Sequence, residues 1–193
     1  MEKQVTTPDQ YPLSLNSLVL ACNQTTNRDP VVQYGEGVVD AALSSLRQRG
    51  LTRVVHSPSN RVPKHRHVAD DALALTDDEQ AVLTVLMLRG PQTPGELKAR
   101  AERMHAFADL DAIEATLERL SVREAPLAVR LVRRPGQKET RFGHLLNGPV
   151  VEDPEGAASE DVSVAPRLDR FAELEARVAT LEAEVARLRA AFD

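Results

Sequence analysis

Two runs of basic residues stand out in this 193-residue chain. From Arg47 to Val68 lie Arg47, Arg49, Arg53, Arg61, Lys64 and Arg66 with no acid among them. A second run, Arg130, Arg133, Arg134, Lys138 and Arg141, is interrupted only by Glu139. Such clusters can neutralise phosphates and give steeply salt-dependent binding to nucleic acid. They also suit a blander purpose, because Lys and Arg on exposed hairpins keep strand edges from pairing with other chains. The segment Asn23-Gln24-Thr25-Thr26-Asn27-Arg28-Asp29 is the most distinctive polar stretch. Asn23, Gln24 and Asn27 could read adenine edges, and Arg28 a guanine or a phosphate. Turn chemistry ahead of Pro30 explains most of these residue types unaided. His65 and His67 would share a face of a strand, with His56 on the facing one, but no cysteine or spaced acid completes a metal shell. The single Cys22 falls on the inner face of a helical pattern and reads as an inert core residue. No Walker A loop, G-x-S-x-G, H-E-x-x-H or dinucleotide fingerprint is present, so neither catalysis nor a cofactor is expected.

The elements that would carry these residues follow from periodicity. Leu15, Leu18, Val19 and Cys22 recur at helical spacing after Ser14, a suitable N-cap. Val39, Ala42, Leu43 and Leu46 line one face of a second helix, with Gly50 as the residue just past its end. LTRVVHS and RVPKHRHV around the turn-rich PSN then predict a hairpin, its second strand marked as an edge by Pro63. The later part of the chain repeats this order. Thr76 to Glu79 and Thr93 to Glu96 are capping boxes opening helices that carry Val82, Val85 and Leu86, then Leu97 and Ala101. Asp109 caps a third helix with Leu110, Ile113, Leu117 and Leu120 inward. PLAVRLVRR and ETRFGHLL flank Pro135-Gly136-Gln137 as another hairpin.

Helix, helix, helix and hairpin is the order of a winged helix. Aligning Val39, Leu43 and Leu46 with Ile113, Leu117 and Leu120 brings the halves into register. The dipeptides Thr7-Pro8 and Thr93-Pro94 then correspond only if the first copy has a longer loop. The expected fold is mainly α with small β wings (α+β): winged helices over residues 1–70 and 71–146, an acidic disordered linker over 147–166, and a coiled-coil helix over 167–193. Winged helices place their third helix in the major groove. The outward residues of the first such helix include Asp40, Ser44, Ser45 and Gln48. Those of the second include Asp111, Glu114 and Glu118, which phosphate would repel and which Lys98, Arg100 and Arg103 relieve only in part. That surface suits a protein partner better.

Phe171, Leu174, Val178, Leu181, Val185, Leu188 and Phe192 alternate at spacings of three and four, as the a and d positions of a heptad repeat. In a parallel homodimer, Arg170 would meet Glu175, Arg177 would meet Glu182 and Glu184 would meet Arg189. The alternative is a lone amphipathic helix folded back on its own chain. The formal net charge of −5 is chiefly the linker's, since residues 1–146 hold 19 bases and 18 acids. The acidic total therefore does not exclude DNA. With no long apolar run and one cysteine, the chain is expected in a reducing cytoplasm, away from membranes.

Residues 6–32, TTPDQYPLSLNSLVLACNQTTNRDPVV, and residues 88–100, LRGPQTPGELKAR, closely resemble the YceH family of bacterial proteins, and the similarity extends through residues 2–146. The resemblance implies a tandem winged-helix fold and a regulatory or DNA-binding role, and supplies no catalytic residues. It also implies a further helix whose end matches Glu2-Lys3, which would leave the first domain short of most of its first helix. A start codon upstream of Met1 is the expected reason, because removing a helix from so small a domain uncovers the apolar faces of the others.

Overall fold

A computed structural model describes residues 1–56, 62–133 and 136–150, all within one compact unit, Met1–Val150. The chain is α+β, with helices and two small antiparallel sheets. Helix α1, Glu2–Thr6, leads through a 3-10 turn at Pro8–Gln10 to β1, Leu13–Ser14. Helices α2, Leu15–Cys22, and α3, Glu36–Gln48, are followed by β2, Thr52–Val55, and β3, Lys64–His67. A short helix α4, Ala69–Ala72, which no sequence signal singled out, connects to α5, Asp77–Arg89. Then come α6, Pro94–Ala101, α7, Leu110–Ser121, and strands β4, Ala128–Arg130, and β5, Phe142–His144.

Local chemistry sets the helix ends. The Ser14 hydroxyl accepts from the Ser17 N–H at 3.3 Å, and the Asp109 carboxylate accepts from the Ala112 N–H at 2.8 Å. Thr93 and Glu96 satisfy each other's backbone N–H groups reciprocally. Gly50, just past α3, adopts φ +71°, the left-handed conformation that ends a helix at little cost only in glycine.

The two halves share an order of helix, helix, helix and hairpin, with a short strand before the second helix in the first half and a single bridging residue at that place in the second. In the first, β1 pairs with β3, Leu13 opposite His65. In the second, Gln92 makes a single bridge with Phe142 of β5. Ser14, not Thr7, is therefore the counterpart of Thr93, each capping an eight-residue helix that starts right after the bridge. Thr7-Pro8 instead opens the 3-10 turn. The sheet order β1-β3-β2 also corrects the reading of Pro63 as an edge marker. β3 is central, and Pro63 lies just before its paired residues, so no ladder N–H is lost. The second hairpin is shorter than expected, pairing only Ala128–Arg130 with Phe142–His144, plus a bond from the Leu131 N–H to the Arg141 carbonyl at 2.9 Å.

The main core sits in the second half. Leu83 and Leu86 of α5, Leu97 of α6 and Ile113, Leu117 and Leu120 of α7 are fully buried. Each such side chain contributes about 1.5–3 kcal/mol when removed from water. Helix α5 is buried continuously from Glu79 to Leu86 and forms the central shaft. Among the described residues of the first half only Leu13, Val39 and Ala69 are buried apolar residues. Ala42 and Leu46, expected inward on α3, are exposed, because α3 buries a stripe too narrow to reach them, and Leu110, expected inward on α7, is exposed at the first residue of that helix.

Candidate nucleic-acid interface

The β2–β3 ladder fixes where the first basic run points. Arg53 lies directly opposite Arg66, and Val55 opposite Lys64. Directly paired residues, and residues two apart along a strand, share one face. Arg53, Lys64 and Arg66 therefore stand together on one side of the sheet. The other side carries Leu13, Val54, His65 and His67, and buried Leu13 marks it as the inward one. Like charges directly opposite each other, with Cβ atoms about 4.5–5.5 Å apart, are unfavourable unless an anion lies near. Among the described residues none of these three cations, nor Arg47 or Arg49, makes an ion pair with an acid. The Arg66 Nε is buried without a hydrogen-bond partner among the described residues. Next to this sheet, α3 exposes Asp40, Ser45, Arg47 and Gln48, whereas Ser44 is half-buried and not outward as expected.

The second basic run is held differently. Arg130 stacks on the Phe142 ring, 5.4 Å from its centroid, and the Arg133 Nε donates to the Gln137 carbonyl at 2.9 Å. Lys138 is exposed and Arg141 half-buried and engaged. Arg61 and Arg134 lie outside the described residues.

Four side chains of 23–29, those of Asn23, Gln24, Asn27 and Arg28, are engaged within the protein. The Asn23 amide brackets the Tyr34 backbone, donating to its carbonyl at 2.8 Å and accepting from its N–H at 2.7 Å. The Gln24 amide donates to the Thr26 carbonyl at 2.6 Å. Asn27, at φ +58°, accepts from Arg89 at 3.0 Å. Arg28 is buried and paired with buried Glu2 at 2.7 Å. Neither the Arg53–Arg66 pairing nor the role of Glu2 was read from the sequence. Alternate spacing hinted at the first; nothing local signals the second.

The bases expected to relieve the acidic α7 in part are also committed elsewhere. Lys98 donates to the Phe107 carbonyl at 2.5 Å, Arg100 pairs with Glu96 at 3.3 Å, and Arg103 pairs with Glu2. Asp111, Glu114 and Glu118 remain exposed on α7, while Arg119 is held by Asp78 and Glu79.

The histidines do not converge on an ion. The His67 ring lies by Gln4 and Asp70, and its N–H of the backbone donates to the Tyr11 hydroxyl at 2.8 Å. Burial pushes His67 down to about 4. Burial also lowers His65, and raises the Cys22 thiol against the pull of Arg28. Among the described residues no three His, Cys, Asp or Glu side chains gather as a metal site. Nor is any helix among them long and apolar enough to cross a membrane.

This is an α+β chain with a basic sheet face, and its relatives place it in a family. It belongs to the family described as protein of unknown function DUF480, whose profile matches residues 1–137. The UPF0502 protein azo0627 of Azoarcus sp. strain BH72 is 50% identical over 195 residues, covering 100% of this chain and 86% of that relative. The UPF0502 protein YceH of Escherichia fergusonii is 46% identical over 198 residues, covering 100% of this chain and 89% of its own. The UPF0502 protein GSU0233 of Geobacter sulfurreducens is 48% identical over 190 residues, covering 97% and 84%. The resemblance to the YceH family is thereby established.

Proposed function

We propose that the chain is a non-enzymatic, cytoplasmic DNA-binding regulator built as two tandem winged helices. The β2–β3 face grips backbone phosphates, and α3 enters the major groove beside it. The observation that carries this reading is the placement of Arg53, Lys64 and Arg66 on one face of an acid-free hairpin, two of them directly opposed. Dimerisation through the heptad positions Phe171 to Phe192, which lie outside the described residues, would present two such surfaces to one duplex. The three exposed acids of α7 favour a second reading for the second half, a surface for a protein partner.

The test is fluorescence anisotropy with a mixed-sequence duplex of about 30 base pairs at about 50 and 200 mM salt. Arg53→Ala with Arg66→Ala is expected to weaken binding at least about tenfold and to lower the salt slope by about 2. Arg133→Ala with Lys138→Ala should do less. Absence of binding at the lower salt, or indifference to the first pair of changes, rejects the reading. Co-purification of one stoichiometric protein, lost on Glu114→Lys, would support the protein-partner reading of the second half.

A further inference from the structure

Three segments far apart in sequence converge on one buried carboxylate. Glu2 is paired with Arg28 at 2.7 Å and with Arg103, and its side chain is only 5% exposed. Arg28, 7% exposed, also donates to the carbonyl of Ala21 in α2 at 2.8 Å and to that of Asn27 at 2.9 Å. Its neighbours tie the same loop to the far end of α5. The Asp29 N–H donates to the Leu88 carbonyl at 2.9 Å, and Arg89 donates to the Asn27 side chain. Beyond these ties, Asn23 brackets Tyr34, two residues before α3 begins. The connection from α2 to α3 is thus fastened at both ends.

We infer that Glu2 is the positioning residue of a latch that holds the α2–α3 connection, and with it the start of α3, against the second half. Buried ion pairs add little net stability over apolar replacements, but removing one partner leaves an uncompensated buried charge. A latch of this kind therefore fixes an arrangement rather than supplying bulk stability. Apolar packing offers only a weak substitute here, because the apolar side chains of α2 are at most half-buried and α3 fully buries only Val39. The inference stands whatever ligand α3 meets.

The full-length Glu2→Gln variant tests it, with two readouts of the connection and one internal standard. Amide exchange across residues 21–35 and alkylation of Cys22, the only cysteine, report the latch. Exchange across Val82–Leu86 reports the core. Glu2→Gln is expected to speed exchange in 21–35 and Cys22 labelling at least about tenfold while 82–86 stays protected. Arg103→Met, which cuts the tie of Glu2 to the second half but leaves the Glu2–Arg28 pair in place, should speed exchange in 21–35 as well, by less than Glu2→Gln. Unchanged exchange and labelling at 21–35 would overturn the inference. So would equal loss of protection in both regions, which would make Glu2 a general stabiliser and not a latch.

Discussion

Helix α7 buries Ile113, Thr116, Leu117 and Leu120, whereas α3, at the same place in the repeated order, buries Val39 alone. The contrast extends to the polar contacts. The second half closes its surface with a network in which Asp78 meets Thr116 and Arg119, and Glu79 meets Arg119 and Arg123. The first half relies on ties to its neighbour at Glu2, Asn27 and Asp29. One order of elements therefore supports two ways of standing up: a self-sufficient core, and a set of elements fastened to it. A lightly packed half with a basic sheet face, fastened to a firmly packed one whose α7 exposes three acids, also divides the proposed labour, with phosphate on one side and a partner protein on the other.

Core truncation separates the halves most strongly. Leu117→Ala should cost about 2–5 kcal/mol, the usual range for a fully buried leucine, while Leu46→Ala on the exposed part of α3 should cost no more than about 0.5 kcal/mol. Urea midpoints at constant m-value measure both, and equal losses would erase the distinction.

Acid should part the halves next. His67 titrates near 4 in the folded protein and near 6.5 when unfolded, so between these values the unfolded chain binds the extra proton. Its contribution is complete above about pH 6.5 and lost as the pH falls towards 4. Burial alone would raise the Asp78 carboxyl, but the Thr76 and Thr116 hydroxyls and Arg119 hold it at about 2. Its contribution survives to about pH 4 and is lost only as the pH falls from there towards 2. Both tyrosines, Tyr11 and Tyr34, lie in the first half, and there is no tryptophan. Near-ultraviolet dichroism from tyrosine should therefore fade between pH 6.5 and 4, ahead of the helical signal at far-ultraviolet wavelengths. Coincident transitions would contradict this, and His67→Gln should flatten the earlier one.

The smallest effect compares equivalent caps. Thr93→Ala breaks a reciprocal capping box and should cost about 1 kcal/mol by thermal unfolding; Ser14→Ala should cost less, because α2 has no buried residue to transmit the loss. A larger cost at Ser14 would show that α2 matters more than its exposure implies.

How far the sequence reveals all this depends on the range of the interaction involved. The caps at Ser14, Thr93 and Asp109 and the stop at Gly50 are local, and each was legible because its side chain or φ angle acts within a few residues. Periodicity likewise marked the buried leucines of α7. It misplaced Leu46 and Leu110, because an apolar stripe tells which face would be buried and not whether anything covers it. Strand order depended on β1, two residues long and too short to leave an alternating pattern. The opposition of Arg53 and Arg66 is a matter of register, and the partnership of Glu2 with Arg28 and Arg103 spans most of the described chain.

The latch has a consequence for synthesis. Glu2 and Arg103 are 101 positions apart, and Asn27 and Arg89 are 62 apart. A ribosome adding about 5–20 residues per second makes Arg103 about 5–20 seconds after Glu2. Of the first half's apolar residues only Met1 packs against the core from Ala81 to Phe142, so that core has little to wait for upstream. The half that is translated first is thus the half that settles last, and through that interval it waits for the surface it will be fastened to.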